Sequence, residues 1–193
     1  MTELRTCAWA TVEPELSYHD SEWGVPSRDE RFLFEKLILD GAQAGVSWRI
    51  ILNKREGYRR LFEDFDAVKM ADYTDEHLET LLLDPSIIRN RLKVFGARKN
   101  ARAWLALKSE RDPVEYLWSF VGGKPIVHAR KSMSEIPATS PEGDALSKDL
   151  KQRGFTFVGP TIMYAFMQAA GLVNDHEVTC PRYEVCCELA KNF

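Results

Sequence analysis

The chain is short of several things, and each shortage excludes a class of protein. Its 193 residues include only four cysteines, which do not form a secreted disulfide framework in a chain of this length. The longest apolar stretch, 161–173, is short and contains Gln168, so it predicts no membrane-spanning helix. The first residues lead into no apolar segment of a signal peptide. We therefore expect a cytoplasmic protein with reduced cysteines and no membrane partner.

Common catalytic motifs are missing as well. There is no glycine-rich phosphate loop and no Gly-x-Ser-x-Gly turn, the signatures of nucleotide hydrolases and of serine hydrolases. Cys180 precedes Pro181, the reverse of the order in zinc deaminases. The net charge is −3, so a nucleic-acid site would have to be a local basic patch.

What is present is a helical pattern along almost the whole chain. The apolar content of 45% and the charged content of 28% are ordinary for a soluble domain. Residues 155–158 are the one run that alternates as a strand does. The sequence predicts an all-α protein with a single domain over 1–193. Caps and apolar periodicity predict helices at 29–39, 48–62, 75–83, 87–108, 112–121, 140–154 and 161–172.

Two pairs of metal-ligand residues lie at opposite ends of the chain. Cys7 and His19 are near one end, and His176 and Cys180 are near the other, four residues apart. Cys2His2 is a common closed tetrahedral zinc set. The spacing alone leaves a second interpretation open, in which these are ordinary buried histidines and free cysteines. If they do bind one ion, it joins the two ends of the domain.

A basic helical hairpin is predicted between residues 75 and 108. A helix, a short turn and a second helix can offer backbone amides to a DNA phosphate. The second helix is rich in cations, Arg89 and Lys93 among them, which could bind several phosphates. From these residues alone, a solvated face on an ordinary hairpin is an equal alternative.

Four aromatic residues near the N-terminus form the other unusual feature. Large planar side chains at loop or helix-start positions can enclose a planar, cationic ligand, although tryptophans also fill cores. Asp40 comes at the predicted end of a helix, where the helix dipole disfavours a carboxylate. An unfavourable charge beside aromatics hints at a function, and exposure to solvent would explain it equally. The aromatic residues are Trp9, Tyr18, Trp23 and Trp48.

Ten segments together resemble the DNA-3-methyladenine glycosylase I family of base-excision repair, over nearly the whole chain. They are CAW at 7–9, YHDSEWGVP at 18–26, GAQAGVSW at 41–48, WSFV at 118–121, SEIP at 134–137, DALS at 144–147, RGF at 153–155, FVG at 157–159, FMQA at 166–169 and GLVNDH at 171–176. The resemblance implies a helix–hairpin–helix glycosylase fold with one structural Zn²⁺ per chain. Its implied zinc ligands are Cys7, His19, His176 and Cys180.

The resemblance also implies roles for the remaining residues. Trp9, Tyr18, Trp23 and Trp48 would enclose the flipped base, and Asp40 would bind its edge where the family usually has glutamate. Aspartate is one methylene shorter, so the backbone moves closer, a water bridges or binding weakens. Ser86 replaces the usual hairpin glycine, and Val46, where the family tends to carry leucine, would be the wedge in the duplex.

The implied activity is hydrolytic release of 3-methyladenine from alkylated double-stranded DNA by a monomer in the bacterial cytoplasm, at the nucleoid. The cationic base already leaves readily, so the enzyme must flip the nucleotide out and hold the base while water attacks. Asp40 and Tyr18 would be the catalytic pair, and the product would be an abasic site. Two alternatives are a glycosylase whose lesion preference is shifted by Asp40, and a non-catalytic zinc-stapled module that only binds DNA.

Overall fold

Helices provide nearly all the regular structure. The computed structural model describes residues 6–193, in which two strands of two residues each, β1 (Ile126–Val127) and β2 (Val173–Asn174), pair in parallel. No helix in this range is long and apolar enough to cross a membrane. The ten helices are α1 (Glu15–Ser21), α2 (Glu30–Gln43), α3 (Trp48–Leu61), α4 (Ala67–Ala71), α5 (Asp75–Leu81), α6 (Arg91–Glu110), α7 (Pro113–Ser119), α8 (Pro141–Gln152), α9 (Pro160–Ala169) and α10 (Pro181–Lys191).

Side-chain caps determine where most of these helices begin. A capping side chain accepts a hydrogen bond from a backbone amide of the first turn, which would otherwise lack an acceptor inside the helix. The predicted starts of α3, α5, α7 and α8 are confirmed, because their caps are Ser47, Thr74, Asp112 and Ser140.

Three predicted helix boundaries were wrong. One is the end of α9, which stops at Ala169 and not at residue 172, shortly before Gly171 adopts a left-handed backbone conformation. Helix α2 continues past Asp40 to Gln43, because Gly41 lets the helix pack closely against Phe157: a Cβ at Gly41 would lie 3.1 Å from the Phe157 Cβ. Helix α6 begins at Arg91 and not at residue 87, since the Asn90 side chain caps it by accepting from the Lys93 amide. Residues 82–90 therefore form a longer turn than expected.

The alternating run at 155–158, the one strand candidate in the sequence, does not form a strand. This segment has no strand structure, and Phe157 adopts a left-handed backbone conformation with φ of 57°. The alternation does not mark one buried face, because the buried side chains of this segment are Phe155 and Val158, which are three residues apart. The short pair β1–β2, which apolar alternation does not predict, instead joins the segment after α7 to the segment after α9.

Helix α9 positions the functional region. It packs against α2 and α8, with Met163, Phe166 and Met167 fully buried. Ala165 and Gln168 are only half-buried, although the apolar composition of this helix would suit one that is buried on every side. The face that carries these two residues is turned toward a cavity.

Candidate functional site

The four predicted metal ligands come together. Cys7, His19, His176 and Cys180 are buried, and their ligand atoms all lie within 4.8 Å of one another. Three sulfur-to-nitrogen distances are 3.5, 3.6 and 3.6 Å. Zinc bonded tetrahedrally to thiolate and imidazole requires an S···N edge of about 3.5 Å. The cluster can therefore hold a metal ion, and its donor set and spacing fit zinc.

The outer nitrogen of each histidine ring is also fixed. His19 Nδ1 lies 2.7 Å from an Asp20 carboxylate oxygen, and His176 Nε2 lies 3.0 Å from the Trp23 carbonyl oxygen. Each acceptor directs the other ring nitrogen toward the cysteines, as outer partners of metal-binding histidines do. Hydrogen bonding from Cys7 holds the pKa of Cys180 below its usual range and raises the pKa of Cys7. Both thiols must lose their protons to bind a cation, so metal binding here depends on pH.

An open cavity of about 230 Å³ lies beside this cluster. Helix α1, the start of α3, α2 and α9 form its walls, and the 3-10 turn Met133–Glu135 contributes at its rim. All four predicted aromatic residues contribute to its walls. The lining residues are Trp9, Tyr18, Trp23, Asp40, Gln43, Trp48, Met133, Ile136, Ala165, Gln168 and Ala169.

The aromatic rings contact one another in series. Trp9 and Trp23 meet edge to face with ring centroids 5.1 Å apart, and Tyr18 and Trp48 lie 5.3 Å apart. Trp23 also packs against His176 at 4.6 Å. The Cys2His2 cluster therefore fixes the rings on one side of the cavity, and this arrangement leaves flat apolar faces for a planar ligand.

Three buried polar atoms at this cavity lack a hydrogen-bond partner among residues 6–193. They are the Tyr18 hydroxyl, Asp40 Oδ2 and the Trp48 indole nitrogen. Buried polar groups are nearly always hydrogen-bonded, and each lost bond costs about 1–3 kcal/mol. Their convergence on one cavity indicates a ligand that has both donor and acceptor atoms at its edge.

The pKa of Asp40 shows how costly its position is. Burial raises this pKa from 3.8 to about 7, and the opposing charge of Lys36 lowers it. Removal from water is therefore the main cause of the raised pKa of Asp40, and the helix dipole expected from the sequence is a secondary cause. A carboxyl group poised near neutral pH in a cleft is typical of a functional site.

Sequence reasoning missed a buried charged network beneath the cavity. Arg55 donates to Glu22 at 2.7 Å and to Glu35 at 2.5 Å, and Lys36, which is fully buried, donates to Glu22 at 3.3 Å. Lys36 lies on α2 one turn before Asp40. Glu35 and Lys36, two adjacent charges within the apolar run of α2, were a signal that could have identified it.

The predicted hairpin is present as α5, residues 82–90 and α6. Ser86 accepts a hydrogen bond from Arg60 at 2.9 Å, and its amide donates to Asp84 at 2.8 Å. The loop packs directly on α3 at Gly57, where any Cβ would collide with the Ser86 backbone. Arg89 is exposed on this loop.

The side chain of Lys93 is directed inward. Its ammonium donates to the carbonyl oxygens of Ala42 and Ala44 at 2.7 and 2.5 Å, capping the C-terminus of α2. In this arrangement the ammonium is not available to a phosphate, so Lys93 supports the Asp40 helix. Val46 is half-buried against the core in the loop between α2 and α3, close to Gln43 at the cavity.

The fold and the cavity define a helical DNA glycosylase. A crystal structure of 3-methyladenine DNA glycosylase I superimposes with a TM-score of 0.90 at 47% identity, covering 92% of this chain and 98% of that one. The 3-methyladenine DNA glycosylase I of Staphylococcus aureus, solved for the structural basis of 3-methyladenine recognition, gives 0.90 at 36% identity over 93% and 97%.

The sequence comparisons narrow the class to one family. Residues 9–183 match the methyladenine glycosylase family. DNA-3-methyladenine glycosylase 1 of Escherichia coli strain K12 is 48% identical over 186 residues, which cover 95% of this chain and 97% of that protein. The chain belongs to the methyladenine glycosylase family, as the ten sequence segments predicted.

Proposed function

We propose that this chain is a monofunctional DNA glycosylase that releases 3-methyladenine from alkylated DNA. The observation that carries the proposal is the set of three unpartnered polar atoms around one aromatic cavity. A purine base has a flat π-face, which can stack on the aromatic rings of the cavity. Its edge carries donors and acceptors, which can supply the hydrogen-bond partners that the three polar atoms lack. The names of the relatives at 48% and 47% identity agree with this ligand.

Each pocket residue has a chemical role in this proposal. The Asp40 carboxylate accepts a hydrogen bond from the exocyclic amino group of the base, and Tyr18 provides a hydroxyl beside it. Trp9, Trp23 and Trp48 stack against the base, and their π-faces favour a cationic base over a neutral one. Asp40 and the rings thereby bind the alkylated base more strongly than adenine.

The reaction is a substitution by water at the anomeric carbon. The N-glycosyl bond breaks, its electron pair neutralises the cationic base, and the water oxygen bonds to the sugar and loses a proton to solvent. Because the leaving group is already activated, little general-acid catalysis is needed. Lys36 and Lys93 are engaged inside the protein, so neither is placed to form a Schiff base, and we expect an abasic site without strand cleavage.

The substrate in this proposal is double-stranded DNA, bound by a monomer with one glycosylase domain. A base must leave the duplex to enter the cavity. Val46 would occupy the space it vacates, and the hairpin around Ser86 and Arg89 would contact the phosphate backbone. The internal hydrogen bonds of Lys93 remove it from the residues we assign to DNA.

The metal in this proposal is a structural zinc ion held by Cys7, His19, His176 and Cys180. Four protein ligands leave no open position, so the ion supplies no chemistry to the reaction and joins the two ends of the domain. We expect a chelator to lower the unfolding temperature, and activity to fall only as the protein unfolds. Parallel melting curves and base-release assays test this; lost activity in a fully folded, metal-free protein would contradict it.

Base release from methylated duplex DNA tests the proposed activity. Chromatography of the released bases should show free 3-methyladenine and intact, abasic strands. Release of 7-methylguanine without 3-methyladenine would indicate the shifted lesion preference that Asp40 suggested. Binding to duplex DNA without release of any base would support the non-catalytic DNA-binding alternative and contradict the proposed glycosylase activity.

A further inference from the structure

Lys36 is a fully buried cation directly behind the base pocket. Its ammonium lies 4.2 Å from the centroid of the Tyr18 ring and 5.7 Å from that of Trp48, two residues that line the cavity. Lys36 is not itself a lining residue. It lies four residues before Asp40 on α2, so both side chains project from the same face, with Cβ atoms about 5–6 Å apart.

The fold gives this ammonium little to bind. Its hydrogen bond to Glu22 is long at 3.3 Å, and Glu22 has a shorter bond of 2.7 Å to Arg55. Its other neighbours are the aromatic faces of Tyr18, Phe32 and Trp48, and the charges of Arg55 and Asp40 also act on it. Burying a charge without full pairing costs several kcal/mol, and a neutral side chain of similar length would fill the same space. Glu22 would keep its arginine partner without Lys36.

Most charged groups near this part of α2 are already paired with one another. Tyr18 of α1 interacts electrostatically with Asp40, Glu22 is paired with Arg55 of α3, and Glu35 of α2 is paired with Arg55 and Arg59. Lys93 of α6 is bound to the carbonyl oxygens of Ala42 and Ala44. From α9 the cavity receives only Ala165, Gln168 and Ala169, which carry no charge. Arg55 and Arg59 are both hydrogen-bonded to Glu35. Lys36 is therefore the cation best placed to act on Asp40.

We propose that Lys36 is a positioning residue that favours the ionised form of Asp40 at neutral pH, the form that accepts a hydrogen bond from the base. This inference rests on the proposed function, because it concerns the same pocket. The electrostatics agree with this role: burial raises the pKa of Asp40, and the positive charge of Lys36 lowers it. Burial favours the neutral form of the Asp40 carboxyl group, and the nearby ammonium of Lys36 favours the charged form.

The test is the pH dependence of free 3-methyladenine binding in the wild type and in Lys36→Met. Affinity is measured by quenching of tryptophan fluorescence between pH 5.5 and 9. Without the ammonium the pKa of Asp40 rises further, so the acidic loss of affinity moves to higher pH. A shift of about one unit weakens binding at pH 7 by about fivefold, and the two proteins converge at pH 9. The titration of the ligand itself is common to both.

Lys69→Met is the matched control, because it removes one positive charge at an exposed position on α4. Its pH profile should match that of the wild type. If Lys36→Met does not fold, Lys36→Gln replaces it. An unchanged profile in a folded Lys36 variant, or a loss of affinity equal at every pH, would overturn the inference and leave the base pocket intact. Failure of the wild type to bind 3-methyladenine at any pH would overturn both.

Discussion

Two buried aspartates on either side of Gln168 have opposite surroundings. Asp175 is fully buried and accepts hydrogen bonds from Tyr164 at 2.5 Å, His128 at 2.7 Å, Gln168 at 2.8 Å and Arg130 at 3.0 Å. Asp40 is almost as deeply buried, yet its Oδ2 has no partner among residues 6–193. Gln168 touches both regions, since it also lines the cavity beside Asp40.

The pKa values of the two carboxyl groups reflect this difference. Burial opposes ionisation at both positions, but at Asp175 the hydrogen bonds, with Tyr164 the largest contribution, outweigh it and lower the pKa. At Asp40 burial prevails and raises the pKa to about 7. A satisfied buried carboxylate stabilises the fold, whereas an unsatisfied one costs stability and is retained for a ligand.

Replacing Asp40 should have the largest effect on activity. We expect Asp40→Asn to reduce the rate of 3-methyladenine release by about 100-fold or more, because the amide cannot supply the carboxylate charge that the cationic base requires. Asp40→Glu is the matched control and should retain or raise the rate. Single-turnover base release measures both. Equal rates for the wild type and Asp40→Asn would contradict the claim that Asp40 serves the ligand while Asp175 serves the fold.

Replacing Asp175 should mainly affect stability. We expect Asp175→Asn to lose about 3 kcal/mol in free energy of unfolding, because Arg130 and His128 would face an amide in a buried site. Urea unfolding measures the loss, and metal content should be determined alongside because His176 is the next residue. A folded Asp175→Asn protein should still bind free 3-methyladenine. A stability equal to the wild type would contradict the structural role.

A pH-dependent effect on stability should appear at Asp40. The unfolded carboxyl group ionises near pH 4 and the folded one near pH 7, so only the folded state holds the proton between these values. Stability of the wild type therefore falls as pH rises through this window. Asp40→Asn lacks this loss and should be more stable than the wild type at pH 8 by about 4 kcal/mol, which corresponds to about three pKa units, but not at pH 4. Unfolding curves at both pH values measure it; a constant difference would contradict the raised pKa.

Local sequence signals predicted much of the helical framework. Caps such as Ser47 and Thr74 fixed helix starts because a capping side chain acts on the amides of its own first turn. The end of α2 depended on contact with Phe157, and the start of α6 on which of several polar residues formed the cap. The short strands β1 and β2 depend on pairing between distant segments, which local periodicity does not reveal.

The candidate site was predicted in part. Segment matches predicted the metal cluster and the four aromatic residues, and the structure brings both groups together. Gln168, Met133 and Ile136 reach the cavity from separate segments, so only the tertiary fold shows them there. The inward direction of Lys93 follows from the packing of α6 against α2, and its charge alone had suggested DNA.

Quenching of tryptophan fluorescence by free 3-methyladenine is the most direct test of whether the unpaired polar atoms of the cavity bind the base. Three tryptophans, Trp9, Trp23 and Trp48, line the cavity, so bound ligand should change the signal. Wild type and folded Asp175→Asn should show saturable quenching at pH 8, and Asp40→Asn should lose most of it. Equal quenching of the wild type and Asp40→Asn, or none with the folded wild type, would contradict the assignment of the cavity to the base.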